Sequence, residues 1–225
     1  MWDATRRPKP LIWPRGRPVV KVLCVGRNYA RHVREMGGPA SASPVWFWKP
    51  ESAIIQDGQP IELPPGIGAV HHEVELAVRI RRRARRVAAA DAGKLLDAFT
   101  VANDVTARDL QEAAKKAGLP WTQAKGYDTF LPLGPWQSIG SHDLQDLQLR
   151  LTVDGQVRQQ GSTADMTWNV AELVARASEW TTLEPGDILL TGTPEGVGPM
   201  VAGNVVTAEL VGVAKVSNPV QARSV

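Results

Sequence analysis

The chain has 225 residues, 43% hydrophobic and 22% charged, with a formal net charge of +3. That length suits one sizeable core, and a globule of this size buries roughly 70–75% of its unfolded surface. The lone Cys24 excludes a disulfide framework or thiolate zinc cluster within one chain, and no stretch approaches the roughly 18 apolar residues of a membrane span.

In chain order, Met1 to Pro18 is rich in Arg and Pro and has no apolar stretch of the signal-peptide kind, so a reducing, cytoplasmic setting is expected. Short β-branched runs between Pro and Gly then predict strands over 19–25, 45–48, 72–80 and 99–104. Asp154-Gly155 favours a tight turn and predicts a hairpin between strands 147–153 and 156–160. Thr106 with Asp109, and Asn169 with Glu172, predict capped helices over 107–117 and 170–180. A third helix is expected over 89–99, and Glu184-Pro185-Gly186-Asp187 is a turn before a strand over 188–191. Six arginines (79, 81, 82, 83, 85 and 86) crowd one stretch without interleaved aromatics. They read as a solvated strand end, not a nucleic-acid surface.

The chemistry concentrates in carboxylates. In His71-His72-Glu73-Val74-Glu75-Leu76, two acids lie two residues apart in a β pattern and so share a face. Their repulsion is tolerable if both meet water or if a cation sits between them, and spacing alone leaves both possibilities open. Asp104 adds a third acid at the end of the run Phe99 to Asn103, where strands commonly carry function. Three converging carboxylates would make an all-oxygen site suited to Mg²⁺ or Mn²⁺ in preference to Zn²⁺ or copper. The zinc-protease reading of His72-Glu73 fails because Leu76 stands where the second His is needed, and no Walker loop or Gly-x-Ser-x-Gly elbow is present.

Further candidates lie outside this run. His32 and Glu35 would share a helical face and could act as a base dyad, with Gly37 and Gly38 permitting movement. Thr193 sits in a Gly/Pro-rich loop whose hydroxyl and amides could bind a carboxylate, against the alternative of a plain turn. Arg108 and Gln111 share a face of the predicted helix, where a salt bridge serves equally well. Trp46, Phe47 and Trp48 either line a pocket or belong to core or interface.

Six blocks occur in order: Gly26-Arg27-Asn28-Tyr29-Ala30-Arg31-His32-Val33-Arg34-Glu35, Lys49-Pro50, His71 to Glu75, Asp104 to Asp109, Lys125-Gly126 and Thr191-Gly192-Thr193-Pro194. On these the chain, from about Val20 to Val216, resembles the fumarylacetoacetate hydrolase family. The nearest branch contains acylpyruvate hydrolases, oxaloacetate decarboxylases and 2-hydroxyhepta-2,4-diene-1,7-dioate isomerases.

The resemblance implies a mainly β fold with helices, a mixed β-sandwich roll that usually dimerises. Residues 1–19 would be a short N-terminal extension and 20–225 a single catalytic domain. It implies Mg²⁺ or Mn²⁺ on Glu73, Glu75 and Asp104, with Lys125 as the catalytic lysine and His32 and Glu35 as a water-activating pair under a lid. Thr193, Arg27, Arg108 and Gln111 would bind substrate carboxylates or steady the metal ligands, with Lys49 behind them. The implied reaction is metal-dependent C–C cleavage of a small 2,4-dioxo acid, by acylpyruvate hydrolysis or oxaloacetate decarboxylation, in which pyruvate leaves as its enolate. Tautomerisation of the 2-hydroxyhepta-2,4-diene-1,7-dioate type is the alternative. The expected partners are a 2-oxo acid and a second copy of the chain, with no nucleic acid and no membrane.

Overall fold

The computed structural model describes residues 21–37 and 42–223. The extension over 1–19, the first residues of the strand expected from Val19, and Gly38 lie outside the described residues. Runs of aliphatic and β-branched side chains form strands because they pack well on a pleated, half-buried surface. Six of these make one sheet in the order 137–138, 96–103, 74–80, 188–190, 22–26, 45–49. Val22–Gly26 and Ile188–Leu190 run parallel and the other neighbours antiparallel. A second sheet of five strands follows the order 156–162, 148–153, 205–210, 214–222, 61–63. The predicted hairpin turns at Asp154 and Gly155, both at positive φ.

The period of two in the Val74–Ile80 strand assigns its side chains to two layers. Leu76 and Val78 pack with Phe99 and Val101 against Leu149, Leu151, Val206 and Val216 of the second sheet. Each such buried Leu or Val contributes about 1.5–3 kcal/mol relative to exposure. Ala77 faces the other way, toward Cys24, Phe47, Ile188 and Leu190. Glu75, two residues before Ala77, takes this second side, and the sheet thus delivers its acid away from the main core.

The helix Val170–Trp180 begins as predicted: Asn169 accepts from Glu172 N–H and the Glu172 side chain accepts from Asn169 N–H, a complete capping box. Its residues Leu173, Val174 and Ala177 close the main core. Among the described residues, no helix is long and apolar enough to cross a membrane.

Two expectations need correction. The helix expected from a Thr106 cap starts at Arg108 with Ala107 as N-cap and no side-chain cap. The Thr106 hydroxyl instead donates to Asp104 C=O, and Asp109 accepts from Ala69 N–H. The helix expected over 89–99 is limited to Ala89–Ala92 and a 3₁₀ turn over Gly93–Leu95, after which Leu96–Asn103 is a strand. Pairing with Val74–Ile80 overrides local helix propensity there.

Candidate functional site

Glu73 occupies the break between the strands Val70–His72 and Val74–Ile80. Freed from a regular ladder, its N–H donates to Asn103 Oδ1 at 2.9 Å and its C=O accepts from Asp104 N at 2.8 Å. This crossing ties the acid to the end of the Leu96–Asn103 strand, where Asp104 follows. One carboxylate oxygen from each of Glu73, Glu75 and Asp104 lies within 4.8 Å of the others. All three residues are buried.

Three cations surround these acids unevenly. Lys125 Nζ donates to Glu73 Oε2 at 2.7 Å and to Asp104 Oδ2 at 2.6 Å. Lys49 Nζ stands 2.7 Å from Asp104 Oδ1 and donates to the carbonyls of Val105 and Lys125, which hold it in place. Despite that proximity, Asp104 Oδ1 lacks an aligned hydrogen bond. Arg108 donates to Glu73 Oε1 and to Gln111 Oε1. Among the described residues, Glu75 receives only a backbone donor, Gly192 N–H at 2.7 Å.

The titration follows that asymmetry. Burial pushes Glu73 up, but the Lys125 ammonium and Arg108 guanidinium outweigh it and hold the carboxyl below the usual range. Burial, reinforced by the Asp104 carboxylate, pushes Glu75 well above its usual value. Lys125 is held above its ordinary value because Asp104 and Glu73 overcome its burial, whereas burial wins at Lys49 and lowers it. The buried Glu75 carboxylate, without a cation of its own and close to the Asp104 carboxylate, is costly as it stands. A hard divalent cation on these oxygen donors would satisfy both, so the residues present fit such an ion.

The remaining candidates converge from other elements. Arg27, His32, Arg108, Gln111, Lys125 and Thr193 line the same cleft as the three acids. Glu35 stands behind it, with Oε2 at 3.1 Å from His32 Nδ1 and Oε1 accepting from Gly196 N–H at 2.9 Å. The helix Ala30–Glu35 is therefore docked on the 194–196 loop. Of the aromatic run, Phe47 alone lines the cleft, while Trp46 and Trp48 turn to Trp180 at 6.0 and 5.7 Å between ring centroids. The arginine run behaves as surface: Arg79 forks onto Asp97, and Arg83 pairs with Glu184.

Two supporting residues escaped the sequence reading. Gln159 donates to Thr193 Oγ1 at 2.8 Å and Pro194 C=O at 3.0 Å, while its Oε1 accepts from Val74 N–H and contacts His72 Nδ1. Its burial depends on a bulge: the register pairs Leu151 with Gln159 but Thr152 with Val157, which reverses the alternation and turns one glutamine of a polar strand inward. Asn28 donates to the carbonyls of Trp168 and Thr191 and accepts from Trp168 N–H, riveting the first motif to the Thr193 loop. Its place inside the Gly26–Tyr29 motif was the available signal.

Residues 21–221 match the family model described as fumarylacetoacetate (FAA) hydrolase C-terminal. The chain is 45% identical over 206 residues to oxaloacetate tautomerase FAHD1, mitochondrial, of Arabidopsis thaliana, covering 90% of this chain and 92% of that protein. It is 42% identical over 205 residues to the mitochondrial oxaloacetate decarboxylase of Dictyostelium discoideum, covering 89% and 92%. The solved structure of fumarylpyruvate hydrolase from Pseudomonas aeruginosa with Mn²⁺ and pyruvate superposes with a TM-score of 0.86 at 34% identity, covering 92% and 91%. The 2-hydroxyhepta-2,4-diene-1,7-dioate isomerase of Mycobacterium marinum gives a TM-score of 0.81 at 42% identity, covering 92% and 76%.

Proposed function

The chain belongs to the fumarylacetoacetate hydrolase family, and from that premise we propose that it catalyses keto–enol chemistry on a small 2-oxo acid, with the tautomerisation of oxaloacetate as its reaction. The observation that carries this reading is the buried cluster of Glu73, Glu75 and Asp104 with Lys125 fixed between two of them. Relatives named as oxaloacetate tautomerases supply the substrate.

Mg²⁺ or Mn²⁺ on the three acids would polarise the 2-oxo group and favour negative charge on its oxygen. Lys125 adds a fixed positive charge beside the same carboxylates, preorganised by two hydrogen bonds, and excluded water keeps that charge effective. Keto-to-enol conversion removes a proton from C3 and delivers one to the C2 oxygen. His32 is the base for the carbon proton: Glu35 holds Nδ1, which leaves Nε2 as the ring nitrogen for transfer. Thr193, positioned by Gln159, binds the substrate carboxylate through its hydroxyl and loop amides.

The second reading is C–C cleavage, as decarboxylation of oxaloacetate or hydrolysis of an acylpyruvate. It is favoured by the pyruvate held in the fumarylpyruvate hydrolase structure and by the decarboxylase relative. Freshly dissolved oxaloacetate separates the two when loss of enol absorbance and formation of pyruvate are followed together on the Mg²⁺-loaded enzyme. Enol loss outpacing pyruvate supports tautomerisation. Pyruvate formed at the rate of enol loss, or from acetylpyruvate, supports cleavage, and acceleration of neither overturns both.

A further inference from the structure

The strand Val45–Lys49 delivers two side chains to Lys125. Its alternation buries Phe47 and Lys49 together and sends Trp48 outward. Lys49 Nζ donates to the Lys125 carbonyl and so fixes the backbone at the end of the short helix Thr122–Lys125. Phe47 meets the other end of the same residue: Lys125 Nζ lies over its ring, 4.8 Å from the centre. That is inside the roughly 6 Å at which an aromatic face attracts a cation, and the attraction grows where water is excluded, as at these two buried residues.

The ring is itself held. Trp121, the N-cap of the Thr122–Lys125 helix, packs on Phe47 with 5.8 Å between centroids, and its C=O accepts from Lys125 N–H at 3.1 Å. Gly26 makes room for the indole, since a Cβ there would lie 2.9 Å from it. Ring and ammonium are thus carried by elements locked to each other.

An ammonium has three donors, and the carboxylates of Glu73 and Asp104 accept two from Lys125. A divalent ion would compete for those same carboxylates, and its charge would repel the ammonium. A benzene ring is no ligand for a hard ion, so the contact with Phe47 is one that such an ion leaves intact.

We propose that Phe47 is a positioning residue for Lys125: the negative face of its ring keeps the ammonium in the cleft while the acids hold the ion. The inference rests on the proposed function, in which Lys125 is the fixed positive charge, and deepens it by assigning part of the site's electrostatics to an aromatic side chain.

Fluorination of the Phe47 ring tests it, because mono- and trifluorinated phenylalanine keep the ring and nearly its size while draining negative charge from its face. Each is placed at position 47 alone, in the wild-type and Lys125→Met backgrounds. Urea unfolding of the metal-free protein is measured beside kcat and KM for oxaloacetate tautomerisation with Mg²⁺. With Lys125 present, the trifluorinated ring should lower both the folding equilibrium constant and kcat about ten-fold, the monofluorinated ring less, with KM unchanged. In Lys125→Met the same rings should alter neither quantity. Equal losses in both backgrounds, a loss not graded by fluorine number, or a fall in stability with kcat unmoved would overturn the inference. If Lys125→Met does not fold, the grading by fluorine number decides. A wild type without tautomerase activity overturns the proposed function instead, and the unfolding series still decides whether the ring holds the ammonium.

Discussion

Lys125 Nζ lies 2.7 Å from Glu73 Oε2, both groups buried, and the same ammonium reaches Asp104 at 2.6 Å. The lysine therefore neutralises two members of the acid cluster at once and leaves Glu75 as the member without a cation. That division of charge governs the predictions that follow.

Replacing Lys125 by Met keeps the volume and removes the shared charge. Unpairing buried acids costs about 3–5 kcal/mol, so the EDTA-treated variant should unfold at markedly lower urea concentration than the wild type. Its kcat with Mg²⁺ should fall about 10²–10³-fold, the cost of losing one preorganised electrostatic stabiliser. A stability change under about 1 kcal/mol would show that the ammonium is not the partner of these acids.

Glu75 sets the sign of a pH effect. Burial and Asp104 raise its folded-state value above the usual 4.5, so the metal-free protein's stability from the neutral carboxyl is present below 4.5 and lost as pH rises through the folded value. Glu73, held low mainly by Lys125 and Arg108 against its burial, acts in the opposite sense and below 4.5. Excess Mg²⁺ should thus raise Tm more at about pH 8 than at about pH 5, because the ion binds the ionised acids. Thermal melts with Mg²⁺ and with EDTA measure the difference. A Tm shift independent of pH would contradict it.

Gln159→Leu tests the support of the Thr193 loop. The substitution strips partners from Val74 N–H, Thr193 Oγ1 and Pro194 C=O, and each orphaned buried group costs about 1–3 kcal/mol. The variant should lose at least about 2 kcal/mol in urea unfolding, and its KM should rise more than its kcat falls, since the loop's task is to bind. An unchanged KM would separate Thr193 from substrate.

Gly196→Ala strikes the dock of the Ala30–Glu35 helix. Gly196 sits at φ 91°, and an added Cβ would come within 2.4 Å of the Arg158 carbonyl oxygen. The loop must move, breaking the hydrogen bond from Gly196 N–H to Glu35 and freeing the His32 partner. kcat/KM should drop by at least about ten-fold. Gly203→Ala is the control: its φ is 99° but nothing lies within 4 Å of the new Cβ, so it incurs backbone strain alone and keeps its activity.

The three acids were legible as candidates from the sequence, but their joint role came from the family resemblance, not from spacing. The period of two put Glu73 and Glu75 on one face of an expected strand and Asp104 at the end of another, whereas Glu73 in fact sits in a break between two strands, which spacing does not reveal. Capping at Asn169 was equally plain, since both halves of the reciprocal bond are three residues apart. Non-local pairing hid the rest. The strand expected over 99–104 begins three residues earlier, at Leu96, because pairing with Val74–Ile80 takes 96–98 from the helix expected there, and Thr106 spends its hydroxyl on Asp104 instead of a helix end. Gln159 is set apart from Gln156 and Gln160 only by a bulge, which no residue in its own strand announces.

The central claim is that Glu73, Glu75 and Asp104 hold one divalent ion, and titration of the metal-stripped protein with Mn²⁺, followed by electron paramagnetic resonance of the free ion, tests it most directly. One Mn²⁺ should be taken up per chain by the wild type, displaced by Mg²⁺, and bound at least about ten-fold more weakly by Glu75→Gln, which removes the ligand lacking a cation. Wild-type protein that leaves all Mn²⁺ free, or a Glu75→Gln variant that binds as tightly, would contradict the account.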